Sequence, residues 1–110
     1  MRVIKFRAWD KAGKIMLDWD KIKYLLDTPH FILMQFTGLE DKNGKEVFEG
    51  DIIQRYGGKY KNKQYLLGKP YVIKWCLGSR QNGWNIASAK DFEVIGNIYE
   101  NKNLLKEKNE

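Results

Sequence analysis

The sequence predicts an all-β domain, a small barrel or roll of short antiparallel strands joined by hairpin turns and followed by a short, frayed C-terminal helical tail. Three observations predict it. Apolar residues recur with period two in several short segments. Glycine-containing turn signals separate those segments. Ahead of the tail, the one helix-like pattern, Ile22, Leu25 and Leu26, is short and stops at Pro29. A chain of 110 residues is one domain by size. A closed barrel suits it better than a sandwich because closure removes edge strands.

Residues 2–9 alternate, with Ile4, Phe6 and Ala8 on one face and Lys5, Arg7 and Trp9 on the other, which reads as a half-buried strand. Asp10-Lys11-Ala12-Gly13 supplies a turn with Gly13 available for positive φ, and Ile15-Met16-Leu17 returns as the second arm of a hairpin. Residues 18–29 read as a loop with one helical turn. Phe31 to Phe36 is a buried strand that Thr37-Gly38 breaks. Asn43-Gly44 is the strongest turn signal, of the type I′ that takes positive φ at both central residues. Val47-Phe48 and Ile52 to Tyr56 are extended, and the polar, lysine-rich residues 57–69 read as a long exposed loop. Tyr71 to Leu77 alternates, placing Tyr71, Ile73, Trp75 and Leu77 on one side. Asn82-Gly83 marks a tight turn, from which Trp84 to Ala87 pairs back. Phe92 to Tyr99 is the last strand, with a bulge or bend at Gly96.

Composition excludes several classes. Hydrophobic residues make up 43% and aromatics 14%, too much for a disordered chain. No apolar run approaches the ~18 residues of a membrane span. Met1 to Lys5 alternates charged and apolar residues, unlike the apolar segment of a secretory signal. Cys76 is the sole cysteine, so no intramolecular disulfide forms and a reducing compartment is expected. With His30 the only histidine, a Cys/His zinc site is excluded.

No residue pattern points to catalysis. Asp10, Asp18, Asp20 and Asp27 lack the central glycine and terminal glutamate of a calcium loop, and are expected to start a turn and solvate a loop. Glu49-Gly50-Asp51 reads as a turn in which Gly50 supplies the conformation and Asp51 binds backbone amides two residues on. His30 has no nucleophile or orienting carboxylate beside it in sequence, and is expected at the surface. Cys76, inside a strand, is expected to be a buried small hydrophobe. Gly57-Gly58-Lys59 lacks the spacing and the Lys-Ser/Thr ending of a phosphate loop. No enzyme activity, metal or cofactor is therefore expected.

Charge is distributed unevenly. The net charge is +6, yet Ile52 to Lys90 holds eight of the 20 basic residues and none of the 14 acidic ones. Tyr56, Tyr60, Tyr65, Tyr71, Trp75 and Trp84 are interleaved with those cations. Cations follow a phosphate backbone by counterion release, and aromatic rings stack on unpaired bases. Arg55, Tyr56, Lys59, Tyr60, Lys61, Lys63, Lys74 and Arg80 are thus the candidate nucleic-acid contacts. Two other readings stay open: a solvated basic face, with Tyr71 and Trp75 in the core, and a surface for a protein partner.

Three segments carry a family resemblance. They are Arg2 to Lys11 (RVIKFRAWDK), Met34 to Ile53 (MQFTGLEDKNGKEVFEGDII) and Glu93 to Asn101 (EVIGNIYEN). In this order they resemble the YopX family of small phage and prophage proteins over residues 2–101. The resemblance implies an SH3-type barrel, a phage or prophage origin and a bacterial host cytoplasm. It implies no activity, cofactor or catalytic residue. The segments hold mainly turn and bulge residues, and the basic 57–69 lies between them. The function expected is a non-enzymatic binding module contacting nucleic acid through residues 52–90. The alternative is a module for a host or phage protein, acting alone or as a homo-oligomer.

Overall fold

β1 (Phe6–Asp10) and β2 (Ile15–Leu17) form the expected hairpin in the computed structural model, which describes residues 4–25, 28–60, 63–77, 82–86 and 88–105, with the backbone alone at 56, 58–60, 63–68, 77 and 82. Asp10 sets the turn. Its Oδ1 accepts from the amides of Ala12 (3.0 Å) and Gly13 (3.2 Å). With those amides held, the left-handed position falls on Lys14 (φ +55°) and not on Gly13 as expected. α1 (Trp19–Ile22) is the single helical turn expected in residues 18–29. It buries Ile22 completely and sets the Trp19 ring 5.9 Å from that of Phe6.

β3 (Phe31–Glu40) runs past its expected end at Thr37-Gly38. Gly38 takes φ +88°, and the pairing with β4 (Glu46–Phe48) slips between Phe36↔Phe48 and Glu40↔Glu46. A bulge absorbs the glycine and the strand continues. The β3–β4 turn is not type I′. Only Gly44 (φ +81°), and not Asn43, is left-handed. Asp41 Oδ1 accepts from the amides of Asn43 (2.8 Å) and Lys45 (2.9 Å), which selects a turn followed by one left-handed residue.

β5 (Asp51–Tyr60) and β6 (Lys63–Val72) form a long antiparallel hairpin where a loop was expected over 57–69. Lysine and glycine suggested the loop, whereas Tyr56, Tyr60, Tyr65, Leu66 and Leu67 favour extended backbone. β9 (Phe92–Asn97) pairs with β5 and ends two residues before the expected Tyr99. Its register slips between Ile52↔Gly96 and Ile53↔Val94, a bulge next to the glycine that signalled one.

The alternation over Tyr71–Leu77 does not survive as one strand. The chain leaves β6 at Val72, and β7 (Trp75–Leu77) starts a separate ribbon with β8 (Asn82–Trp84). Ile73 is fully buried while Trp75 is 42% exposed. Asn82-Gly83 lies in β8, paired with Leu77 and Cys76, rather than in the turn. Of the expected tail, a 3-10 turn spans Lys102–Leu105, and residues 106–110 lie outside the described residues.

The strands therefore form three antiparallel sheets, β2-β1-β3-β4, β6-β5-β9 and β7-β8, curled into a half-barrel. The all-β expectation holds. The core joins them: Val47, Ile53, Ile73, Ala89 and Val94, with Leu39, Tyr71, Trp84, Ile86 and Phe92 packed around. Asp41, only 5% exposed, reaches across with Oδ2 to accept from the Val94 amide (2.9 Å).

Candidate nucleic-acid interface

The β5–β6 hairpin is rooted in the core and extends beyond its pairing with β9. Ile52 and Ile53 are both fully buried, and β9 pairs with β5 only from Asp51 to Arg55. Farther out, the register is Tyr56↔Leu66, Gly57↔Tyr65 and Tyr60↔Lys63, and among the described residues the two strands pair with each other alone. The structure thus brings Arg55, Tyr56, Lys59, Tyr60 and Lys63 onto one two-stranded ribbon. The Arg55 side chain is exposed. Lys74 is also exposed but lies past the other end of β6, ahead of β7. Lys61 and Arg80 lie outside the described residues.

The aromatic residues of the stretch divide. Tyr71 packs edge-on against Phe92 (6.0 Å, 89°), and burial pushes its hydroxyl pKa up. Trp75, expected in the core with Tyr71, is instead at the surface, edge-on to Trp84 (5.1 Å, 88°). The cause is the backbone at Ile73–Lys74. Asn85 Oδ1 accepts from the Lys74 amide (3.0 Å), Asn85 Nδ2 donates to the Val72 carbonyl (2.7 Å), and the Asn85 amide donates to the Lys74 carbonyl (3.1 Å). This clamp moves the chain from one sheet to the next and resets the alternation. Cys76 is half-buried rather than buried, and His30 is exposed as expected.

Sequence reasoning missed a buried ion pair. Arg7, on the face of β1 opposite Phe6 and Ala8, is 11% exposed, and Asp51 is 1% exposed. Arg7 Nη2 donates to Asp51 Oδ1 (2.7 Å) and to the Glu49 carbonyl (3.2 Å), and its guanidinium carbon lies 4.9 Å from the Phe48 ring centre. Asp51 Oδ2 accepts from the Phe48 amide (2.7 Å), three residues back, not from amides two residues on. Burial raises the Asp51 pKa, although the Arg7 charge and the Phe48 amide pull it down. Trp9, on the same face, stacks on Tyr99 (5.5 Å, 15°). Period two placed these residues correctly on one face, but it could not show that this face is also covered.

Arg7 forms part of the lining of a cleft of about 440 Å³ between α1 and β4. Trp19 and Phe48 give it apolar walls, and Lys5 pairs with Glu46 across it. Among the described residues no three His, Cys, Asp or Glu side chains come together as metal ligands, so Asp10, Asp18 and Asp20 do not form a cluster. Asp27 lies outside the described residues. No helix among the described residues is long and apolar enough to cross a membrane.

The comparisons with known proteins agree with this fold. The crystal structure of protein EF1440 from Enterococcus faecalis is 27% identical, with a TM-score of 0.65, and the match covers 96% of this chain and all of that one. No curated protein matches. The family model described as YopX protein matches residues 24–106, which include the second and third resembling segments and leave out the first. On that match over most of its length, the chain belongs to the YopX family.

Proposed function

We propose that this YopX-family domain is a non-enzymatic binding module that holds nucleic acid along the β5–β6 hairpin. One observation supports the reading: β5 and β6 pair as one antiparallel ribbon, and Arg55, Lys59 and Lys63 all lie on it. A two-stranded ribbon is thin enough to lie in a nucleic-acid groove or along a strand. Its cations would neutralise phosphates, and beyond Asp51, which is paired with Arg7 at the root, the two strands carry no carboxylate to repel them. A phage or prophage origin and residence in a bacterial cytoplasm rest on the family resemblance and belong to the same proposal.

Fluorescence anisotropy with labelled DNA and RNA tests it. The wild-type chain is expected to bind at low salt, and the triple variant Arg55→Gln, Lys59→Gln, Lys63→Gln to bind at least tenfold more weakly. A wild-type chain that binds no tighter than millimolar at low salt overturns the reading. So does capture of a protein partner that survives nuclease treatment while nucleic acid itself goes unbound.

A further inference from the structure

We propose that Trp75 is a stacking platform for an unpaired base, so that the nucleic acid is single-stranded where it crosses β7. The inference rests on the nucleic-acid reading above and narrows it to a ligand class. Its starting point is the contrast among the four tryptophans. Trp9 stacks on Tyr99, Trp19 packs on Phe6, and Trp84 packs against the core. Trp75 has 42% of its surface open.

An edge-on neighbour can cover at most one face of a ring. Trp84, at 88° to Trp75, therefore leaves at least one face of Trp75 free of it. The ring is also held in place. Trp75 pairs in register with Trp84, which is anchored on the core, and the three Asn85 hydrogen bonds fix the backbone just ahead of it. A rigidly mounted aromatic loses little freedom when a base settles on it.

Charge selects the occupant. An exposed tryptophan could equally meet a protein or a sugar, but Lys74, next to Trp75, is exposed, and no acidic residue occurs from Ile52 to Lys90. A ring for the base beside a cation for the phosphate is the pairing a single strand requires, and every base offers a π-face. In a duplex the base faces are already stacked on one another, so Trp75 gains nothing there.

The test uses the full chain, a fluorescein-labelled oligothymidylate of about 15 nucleotides, a duplex of equal length, and heparin as a polyanion without bases. Trp75→Ala is expected to weaken oligothymidylate binding about tenfold or more, with the salt slope unchanged, because stacking releases no counterions. Duplex and heparin binding are expected to stay at the wild-type level. Trp75→Phe keeps a ring and is expected to retain most of the affinity while losing much of the tryptophan quenching that the bound strand causes. If the wild type binds the strand but Trp75→Ala binds it equally well, or if quenching is unchanged in Trp75→Phe, the platform is wrong and the basic hairpin still stands. If the wild type binds none of the three polymers, both fail together.

Discussion

Arg7 Nη2 lies 2.7 Å from Asp51 Oδ1, and this contact ties β1 of the four-stranded sheet to the first residue of β5 in the three-stranded one. Both side chains are nearly out of solvent. Each therefore depends on the other to offset the cost of burying a charge. The pair also explains part of the Glu49-Gly50-Asp51 motif. Gly50 takes φ +87° with Met34 Sδ only 3.1 Å from where a Cβ would sit, and Asp51 then faces Arg7 while accepting from the Phe48 amide.

Removing one partner should therefore cost more than removing both. Asp51→Ala, which leaves Arg7 charged and buried, is expected to lose about 3–5 kcal/mol of stability. The double variant Arg7→Met, Asp51→Leu is expected to recover most of that loss. Urea denaturation of the wild type and both variants checks it, and equal losses in single and double variants would contradict it.

The same pair makes stability pH-dependent. Burial holds the folded Asp51 above the ordinary value of 3.8. Below 3.8 the residue is protonated in both the folded and the unfolded chain. As pH rises through its folded value, the native state must accept a desolvated carboxylate, so the Asp51 contribution is present at acid pH and lost as pH rises. Asp51→Asn removes this titration. Wild-type stability minus that of Asp51→Asn is expected to fall as pH increases from 3.8. A rising difference would show that Arg7 and the Phe48 amide outweigh burial.

The Asp41 side chain also joins sheets. It accepts from the amides of Asn43, Lys45 and Val94, the last from another sheet. Asp41→Ala is expected to cost about 2–4 kcal/mol, three hydrogen bonds at roughly 1 kcal/mol each. Hydrogen exchange should show Val94 losing protection together with the β3–β4 turn. Loss confined to the turn would mean that the cross-sheet bond contributes nothing.

Gly96 is required for a close approach. A Cβ there would lie 2.6 Å from Asn101 Oδ1, which accepts from the Asn97 amide. Gly96→Ala is expected to lower the melting temperature, and Asn101→Ala in the same chain to restore part of it. A double variant less stable than Gly96→Ala would contradict the clash.

Much of this architecture was legible in the sequence, and the failures share a cause. The strands around Ala8, Val47 and Val94 follow period two because one of their faces packs on the core. The turns at Asp10 and Asp41 were found as turns, but their φ patterns were wrong, because aspartate oxygens rather than glycine set them. The burial of Arg7 was not legible because alternation reports a side chain's face and not what lies opposite that face. The β5–β6 hairpin was missed because glycine, lysine and asparagine between Gly57 and Lys69 interrupt the apolar alternation by which strands are read. Trp75 was misassigned where the chain changes sheets at Ile73–Lys74, a switch created by Asn85 more than ten residues away in sequence. Of the candidate contacts, Arg55, Tyr56, Lys59, Tyr60 and Lys63 share the hairpin, which charge counting could suggest but could not place.

Phosphate binding by that hairpin is what the proposed function requires above all. The most direct measurement is the salt dependence of nucleic-acid affinity for the wild type and for the triple variant Arg55→Gln, Lys59→Gln, Lys63→Gln. The wild type is predicted to show log K falling linearly with log salt, and the variant to show a slope shallower by about 0.7–0.9 for each phosphate it no longer neutralises. A wild-type affinity that does not change with salt, or identical slopes in the two proteins, would contradict it.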